Sequence, residues 1–185
     1  MEKRTIIAGS GGQGILFLGK LITYAALWDR KEVTWFPSYG AEIRGGTATC
    51  TVIVSDDMIG SPVVRNTDFL IVMNEASLAK YQQRLVSGGT IIYDSSLIKT
   101  YQPRTDVLSL PVPASEIAAS ARHKGLANMV LVGAFSAISG LISIDAVNEA
   151  LSDVTPARRK NLLPINKEII MKGYSFAKDS KSSNN

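Results

Sequence analysis

The chain is predicted to be an α/β protein: three layers, with a mostly parallel or mixed sheet of about five to seven strands and helices on both faces. Three observations predict this. Short apolar runs alternate with longer segments of helical periodicity along most of the length. The first run, residues 5–8, leads directly into the glycine-rich turn Gly9-Ser10-Gly11-Gly12-Gln13-Gly14, which opens an apolar helix-like segment. And no apolar run reaches the ~18 residues that a membrane span needs.

The elements follow in order. Residues 5–8 read as a short buried strand. Residues 15–28 are apolar on nearly every side, with Lys20 and Thr23 the polar exceptions. That implies a helix packed on a sheet whose outer face also needs a cover, which another chain could supply. Residues 33–36 read as a second strand and residues 47–55 as a third. In the third, Ala48, Cys50, Val52 and Val54 share one face, and Thr47, Thr49, Thr51 and Ile53 the other. Asp56-Asp57 turns the chain. Residues 69–73 make a fourth strand, and residues 76–86 an amphipathic helix ended by Gly88-Gly89. A fifth strand covers residues 90–93 and a sixth residues 107–112. Ser115 is placed to cap a helix running to Ala121, and residues 128–139 form a buried helix closed by Gly140. Ser143 caps the next helix, residues 144–151. Thr155 and Pro156 suit the start of another. Pro164 interrupts it, so the last helix spans residues 165–176. The whole reads as one domain over residues 1–177, with a polar, disordered tail at 178–185.

Composition narrows the function. With 45% hydrophobic and 19% charged residues, a folded soluble protein is expected. The N-terminus lacks the pattern of a signal peptide, so a cytoplasmic location is expected. The single cysteine, Cys50, sits among threonines and valines and reads as a buried strand thiol. It cannot form an internal disulfide or hold an iron–sulfur cluster. The single histidine, His123, lies between Arg122 and Lys124 and reads as a surface residue. The net charge of +4 is local: from Thr155 onward, seven Lys or Arg face two acids, a net of +5. A nucleic-acid protein spreads its basic stripe over the fold, so nucleic acid is not expected as a partner. The basic end suits a solvated helix face or an acidic partner subunit.

Gly9, Gly11 and Gly14 match G-x-G-x-x-G between a strand and a helix. Such a turn lets backbone N–H groups approach an anion, and the helix start adds partial positive charge. Three readings stay open: a dinucleotide site, glycines that serve close packing, and contact with a phosphate-bearing ligand. The dinucleotide reading lacks the acid that should end the second strand, where Pro37, Ser38 and Tyr39 stand instead.

A second glycine-rich stretch, Tyr39-Gly40-Ala41-Glu42-Ile43-Arg44-Gly45-Gly46, lies between two strand-like runs. Arg44 offers a planar fork suited to phosphate or carboxylate. Glu42, two residues earlier, shares its side of an extended segment and can orient it. The bland alternative is a salt bridge that braces a loop.

The two glycine motifs together resemble the gamma subunit of the 2-oxoacid:ferredoxin (or acceptor) oxidoreductases, of the 2-oxoglutarate or pyruvate type. Further matches follow in order: Ser61-Pro62-Val63, Asp68, Gly88-Gly89-Thr90, Pro113-Ala114 with Glu116-Ile117-Ala118, Asn128 with Gly133, and Asn161 leading to Gly173-Tyr174. The resemblance spans residues 5–174. It implies the gamma-domain fold (domain III) of pyruvate:ferredoxin oxidoreductase. It also implies an enzyme that oxidatively decarboxylates a 2-oxoacid on thiamine diphosphate with Mg. The acyl group passes to coenzyme A, and electrons pass through iron–sulfur clusters to ferredoxin or another acceptor. This chain holds none of these cofactors alone: it has no Gly-Asp-Gly followed by Asn-Asn and no cysteine cluster. The implied partners are alpha, beta and ferredoxin-like delta subunits. The residues expected to face coenzyme A are Gly9, Gly11, Gly12, Gln13, Gly14, Glu42 and Arg44. No residue is assigned a catalytic role, and 2-oxoglutarate is the favoured substrate. A free-standing NAD- or FAD-binding oxidoreductase and a non-catalytic scaffold are the alternatives.

Overall fold

Six strands form one mixed sheet in a computed structural model that describes residues 1–39, 47–123 and 125–182. The strands are β1 (Glu2–Ser10), β2 (Glu32–Tyr39), β3 (Thr47–Ser55), β4 (Thr67–Val72), β5 (Leu85–Asp94) and β6 (Leu108–Val112). Their order across the sheet is β2-β3-β1-β4-β5-β6. β1, β4, β5 and β6 run parallel, whereas β3 is antiparallel to both β1 and β2. The helices are α1 (Ile15–Trp28), α2 (Glu75–Tyr81), α3 (Ala114–Ser120), α4 (Ala127–Ser139), α5 (Ile144–Val154) and α6 (Leu163–Ser182). This is the expected α/β class, with the strand count inside the expected range.

Side-chain alternation along the strands feeds two cores. Ile7, Cys50, Val52, Ile71 and Ile92 point to one face, where α1, α3, α4, α5 and α6 cover them. Ile6, Ala8, Ile53, Leu70 and Ile91 point to the other, where α2 supplies Leu78 and Tyr81 and the connecting segments supply Val64 and Ile98. Helices therefore lie on both faces, but unequally. The all-round apolar character of α1 is explained within this chain: α5 packs over it, and Trp28 Nε1 donates to Asp153 at 2.8 Å. The apolar α4 is likewise enclosed, between the sheet and α6.

Five expected boundaries differ. α2 ends at Tyr81 and a 3₁₀ turn follows at Gln82–Arg84. Leu85 fits the helical period but is drawn into the sheet, and Gly88-Gly89 fall inside β5 at a bulge beside Thr67 and Phe69. Ser115 does not cap α3; the cap position is Pro113, and Ser115 sits in the first turn. Thr155 closes α5, its hydroxyl donating to Leu151 O at 2.6 Å, and a 3₁₀ turn rather than an α-helix follows at Ala157–Leu162. Pro164 does not interrupt a helix; it lies in the first turn of α6, where a missing N–H costs nothing. α6 then continues to Ser182, so residues 178–182 are helical where a disordered tail was expected. Ser143 caps α5 as expected, accepting from Ala146 N. No helix among the described residues is long and apolar enough to cross a membrane.

The α4–α6 crossing depends on two facing glycines. A methyl at Gly133 would meet Ile170 O, and one at Gly173 would meet Val130 O, both inside any tolerable contact. Backbone cannot yield as a flexible side chain does, so Gly173→Ala should destabilise the fold by about 3 kcal/mol. That is a fall of roughly 6–12 °C in melting temperature. Calorimetry checks it; an unshifted melt would mean that the two helices are not in backbone contact.

Candidate functional site

The parallel strands all end on one edge of the sheet, and the first glycine turn lies there, at the end of the third strand of six. The chain leaving β1 turns to the face covered by α1, and the chain leaving β4 turns to the face covered by α2. Connections that depart to opposite faces open a crevice between them, the position where open α/β sheets bind ligands. A cleft of about 370 Å³ occupies it, lined by Gly12, Gln13, Met73, Ser115, Ala119, Gly125 and Ala127.

Gln13 shapes the turn. Its Oε1 accepts from Ser10 N at 2.6 Å, and its Nε2 donates to Met73 O at 3.0 Å. The side chain thus mimics a strand edge, fastening the loop after β1 to the end of β4. Met73 N donates to Ala8 O at 3.0 Å, and Asn74 Nδ2 donates to Ser10 Oγ at 2.6 Å. Asn74 Oδ1 meanwhile accepts from Ser77 N at 2.7 Å and starts α2. Both amide groups of Gln13 are committed to backbone, so it positions the loop rather than offering itself at the mouth.

Two helices begin at the cleft without a side chain closing their N-termini. α1 starts after Gly14 and α4 after Leu126, and neither cap residue makes a side-chain hydrogen bond. The first N–H groups of each helix have no intrahelical partner, and the two dipoles add there. The two starts are linked: Asn128 Nδ2 donates to Gly14 O at 3.4 Å. Asn128 is 6% exposed, and its Oδ1 is buried without a partner. Gly14 has φ +76°, and a Cβ on it would strike the Asn128 amide. Among the described residues the lining carries no charge, and Arg122 and His123 lie just before this wall in the chain. A small neutral cleft with two unfilled helix starts suits an anionic oxygen cluster such as phosphate or carboxylate.

The opposite wall is held by Asp94, a residue with no place among the expected contacts. Asp94 is fully buried at the end of β5. It accepts from Ser96 N at 3.0 Å, Ser115 N at 3.3 Å and Ser115 Oγ at 2.6 Å. It thereby pins α3, which carries Ser115 and Ala119, against the sheet. The Asp-x-Ser pattern at 94–96 was the available signal. Nearby, Glu75 accepts from the Thr100 hydroxyl at 2.6 Å and from Lys99 N at 2.8 Å, which holds its carboxyl below the usual range.

Of the seven expected contact residues, Gly9, Gly11, Gly12, Gln13 and Gly14 are brought together in this turn, with Gly9 buried and Gly11 and Gly12 exposed. Glu42 and Arg44 lie outside the described residues. Cys50 is buried against Gly19 and Trp35, and burial pushes its thiol up to about 12, against smaller lowering contributions from those two neighbours. It is a structural thiol, as expected. The dinucleotide reading loses its geometry: β1's parallel neighbour is β4, while β2 is an edge strand two places away and pairs only with β3.

The turn's two positive-φ glycines differ in their surroundings. Gly12, with φ +92°, has open space where a Cβ would project. Gly12→Ala should therefore cost about 1 kcal/mol of backbone strain, and Gly14→Ala about 2–3 kcal/mol because Asn128 must also move. Melting curves of the two variants check this; equal losses would show that Asn128 does not bear on the turn.

The sequence profile of the pyruvate ferredoxin/flavodoxin oxidoreductase family matches residues 4–176. The ketoisovalerate oxidoreductase subunit VorA of Methanothermobacter thermautotrophicus is 35% identical over 181 residues, 97% of this chain. The match spans only 37% of VorA's own length. The 2-oxoglutarate synthase subunit KorC of Methanocaldococcus jannaschii is 33% identical over 184 residues, covering 97% of this chain and 96% of KorC. A solved 2-oxoglutarate:ferredoxin oxidoreductase from Magnetococcus marinus, with 2-oxoglutarate, coenzyme A and succinyl-CoA bound, superposes with a TM-score of 0.86 at 28% identity. That superposition covers 96% of this chain and 31% of that one. The sheet, its switch point and the profile match agree, and this chain belongs to the pyruvate ferredoxin/flavodoxin oxidoreductase family.

Proposed function

We propose that this chain is the gamma subunit of a multi-subunit 2-oxoacid:ferredoxin (or acceptor) oxidoreductase, and that its glycine turn forms part of the coenzyme A side of the shared active site. One observation carries the reading: two uncapped helix N-termini, joined through Asn128, open on a neutral cleft at the sheet's switch point. Coenzyme A carries phosphates that suit the free N–H groups at the two helix starts. The coenzyme A in the Magnetococcus structure supports the assignment.

Within this reading, the free backbone N–H groups of residues 11, 12, 14–17 and 127–128 receive the anionic end of the ligand. Gln13, Asn74 and Asp94 hold the walls. Arg44, with Glu42 orienting it, adds the charged contact from the second glycine stretch. Thiamine diphosphate with Mg, and the iron–sulfur clusters, belong to the companion alpha, beta and delta chains. Thiamine diphosphate supplies the carbanion chemistry of decarboxylation, and the clusters carry electrons to ferredoxin or another acceptor in the cytoplasm. 2-Oxoglutarate is the favoured substrate: KorC matches this chain end to end, whereas VorA carries the unit within a longer polypeptide.

Reconstitution tests the proposal. The companion subunits with this chain should reduce a viologen dye in the presence of 2-oxoglutarate and coenzyme A, and should lose that activity when the chain is omitted. Arg44→Ala should raise the KM for coenzyme A roughly tenfold, the loss of one charge-assisted hydrogen bond, with assembly intact. Assembly with an unchanged KM removes Arg44 from the site. Full activity without the chain refutes the function.

A further inference from the structure

The sheet face that carries α2 is only partly covered. α2 and the connecting segments roof β1, β4 and β5, and Tyr81 of α2 reaches Thr49 of β3, but among the described residues no helix packs on this face of β2. There Phe36, Ser38, Thr49 and Thr51 form the floor of a groove of about 210 Å³. Pro62 and Val63 form one wall, Tyr81 and Arg84 the other. Phe36 is 57% exposed and Val63 68% exposed. A neighbouring hollow shares Val63 and is lined by Arg4, Ser61, Arg65 and Asn66. Among the described residues, three arginines and no carboxylate line the two hollows together. Arg4 is engaged by Glu2 at 2.7 Å, while Arg84 lies over the Tyr81 ring at 5.4 Å from its centroid. Beside the groove, β2 is an edge strand of eight residues, and an exposed aromatic on an edge strand invites association unless it is covered.

We infer that this groove docks a companion protein chain of the complex. One apolar side chain of that partner enters between Phe36 and Val63, and flanking Asp or Glu residues meet Arg65 and Arg84. The inference rests on the proposed function. Two further observations commit the site to this occupant. The opposite sheet face is already filled by five helices of this chain, so the open face is the one left for a neighbour. And in VorA the unit makes up only 37% of the chain, so further polypeptide is held beside it covalently. A partner that supplies that remainder as a separate chain needs a surface to replace the covalent link. The basic rim selects an acidic-flanked anchor, and the apolar floor contributes most of the hold.

Co-expression with the companion subunits tests this, using two variants, Phe36→Asp and the double charge reversal Arg65→Glu with Arg84→Glu. Both alter exposed positions, so the isolated variant chains should melt within about 2 °C of the native chain. Each should associate at least about tenfold more weakly in native mass spectrometry, as expected for loss of a central anchor or its charge partners. Hydrogen exchange should also slow in residues 33–38 and 61–65 when the complex forms. Undiminished association of both variants, in a complex that does form, overturns the docking site and leaves the proposed function standing. Native chain that never joins thiamine-bearing subunits overturns both. A homodimer of the isolated chain that Phe36→Asp abolishes overturns the assigned occupant in favour of a second copy.

Discussion

The amide of Gln13 is spent wholly on backbone. It closes the turn after β1 by accepting from Ser10 N and reaches across the sheet edge to Met73 O. That pair of bonds fixes where α1 begins relative to the end of β4. Because α1 and α2 leave to opposite faces, this fastening point is also the floor of the crevice. The side chain satisfies Ser10 N, and Gln13 N turns back to Ser10 O, so the loop is closed on itself before α1 begins. The Asn128 link to Gly14 O extends the same frame to the start of α4. Two helix starts are thereby held at a common point by side chains of this chain alone.

The two faces of the sheet divide the labour. One is finished within the chain, down to the backbone contact of α4 and α6 at Gly133 and Gly173. The other is finished over β4 and β5 and left open over β2. A protein acting alone would gain nothing from exposing Phe36 at a sheet edge. A subunit that contributes a preformed loop to a site built from several chains needs such a surface to hold that loop in register.

Much of the fold was legible because its signals are local. The span 15–28 of α1 and the span 47–55 of β3 match their expected bounds, since a glycine turn or a charged turn delimits each and the apolar period within is unbroken. Ser143 and Gly140 marked their helix ends for the same reason. Of the misread boundaries, Leu85 was taken by the sheet from helical register into β5, whereas the Thr155 hydroxyl turned back to Leu151 O and closed one helix rather than opening the next. The site was legible only in outline. Its glycines announce a turn that tolerates close approach, but sequence cannot say whether Gln13 faces a ligand or the backbone of Met73, 60 residues away. Asn128 is 114 residues from the carbonyl that it reaches. Asp94 looks like any residue that ends a strand until Ser115 is folded against it.

The central claim is that the glycine turn and the two helix starts meet the anionic end of coenzyme A in the assembled enzyme. Hydrogen–deuterium exchange of the complex, with and without coenzyme A, addresses it directly. Slowed exchange confined to the amides of residues 11–17 and 127–128 is the predicted result. Exchange there that ignores coenzyme A, while the same preparation turns over substrate, would contradict it.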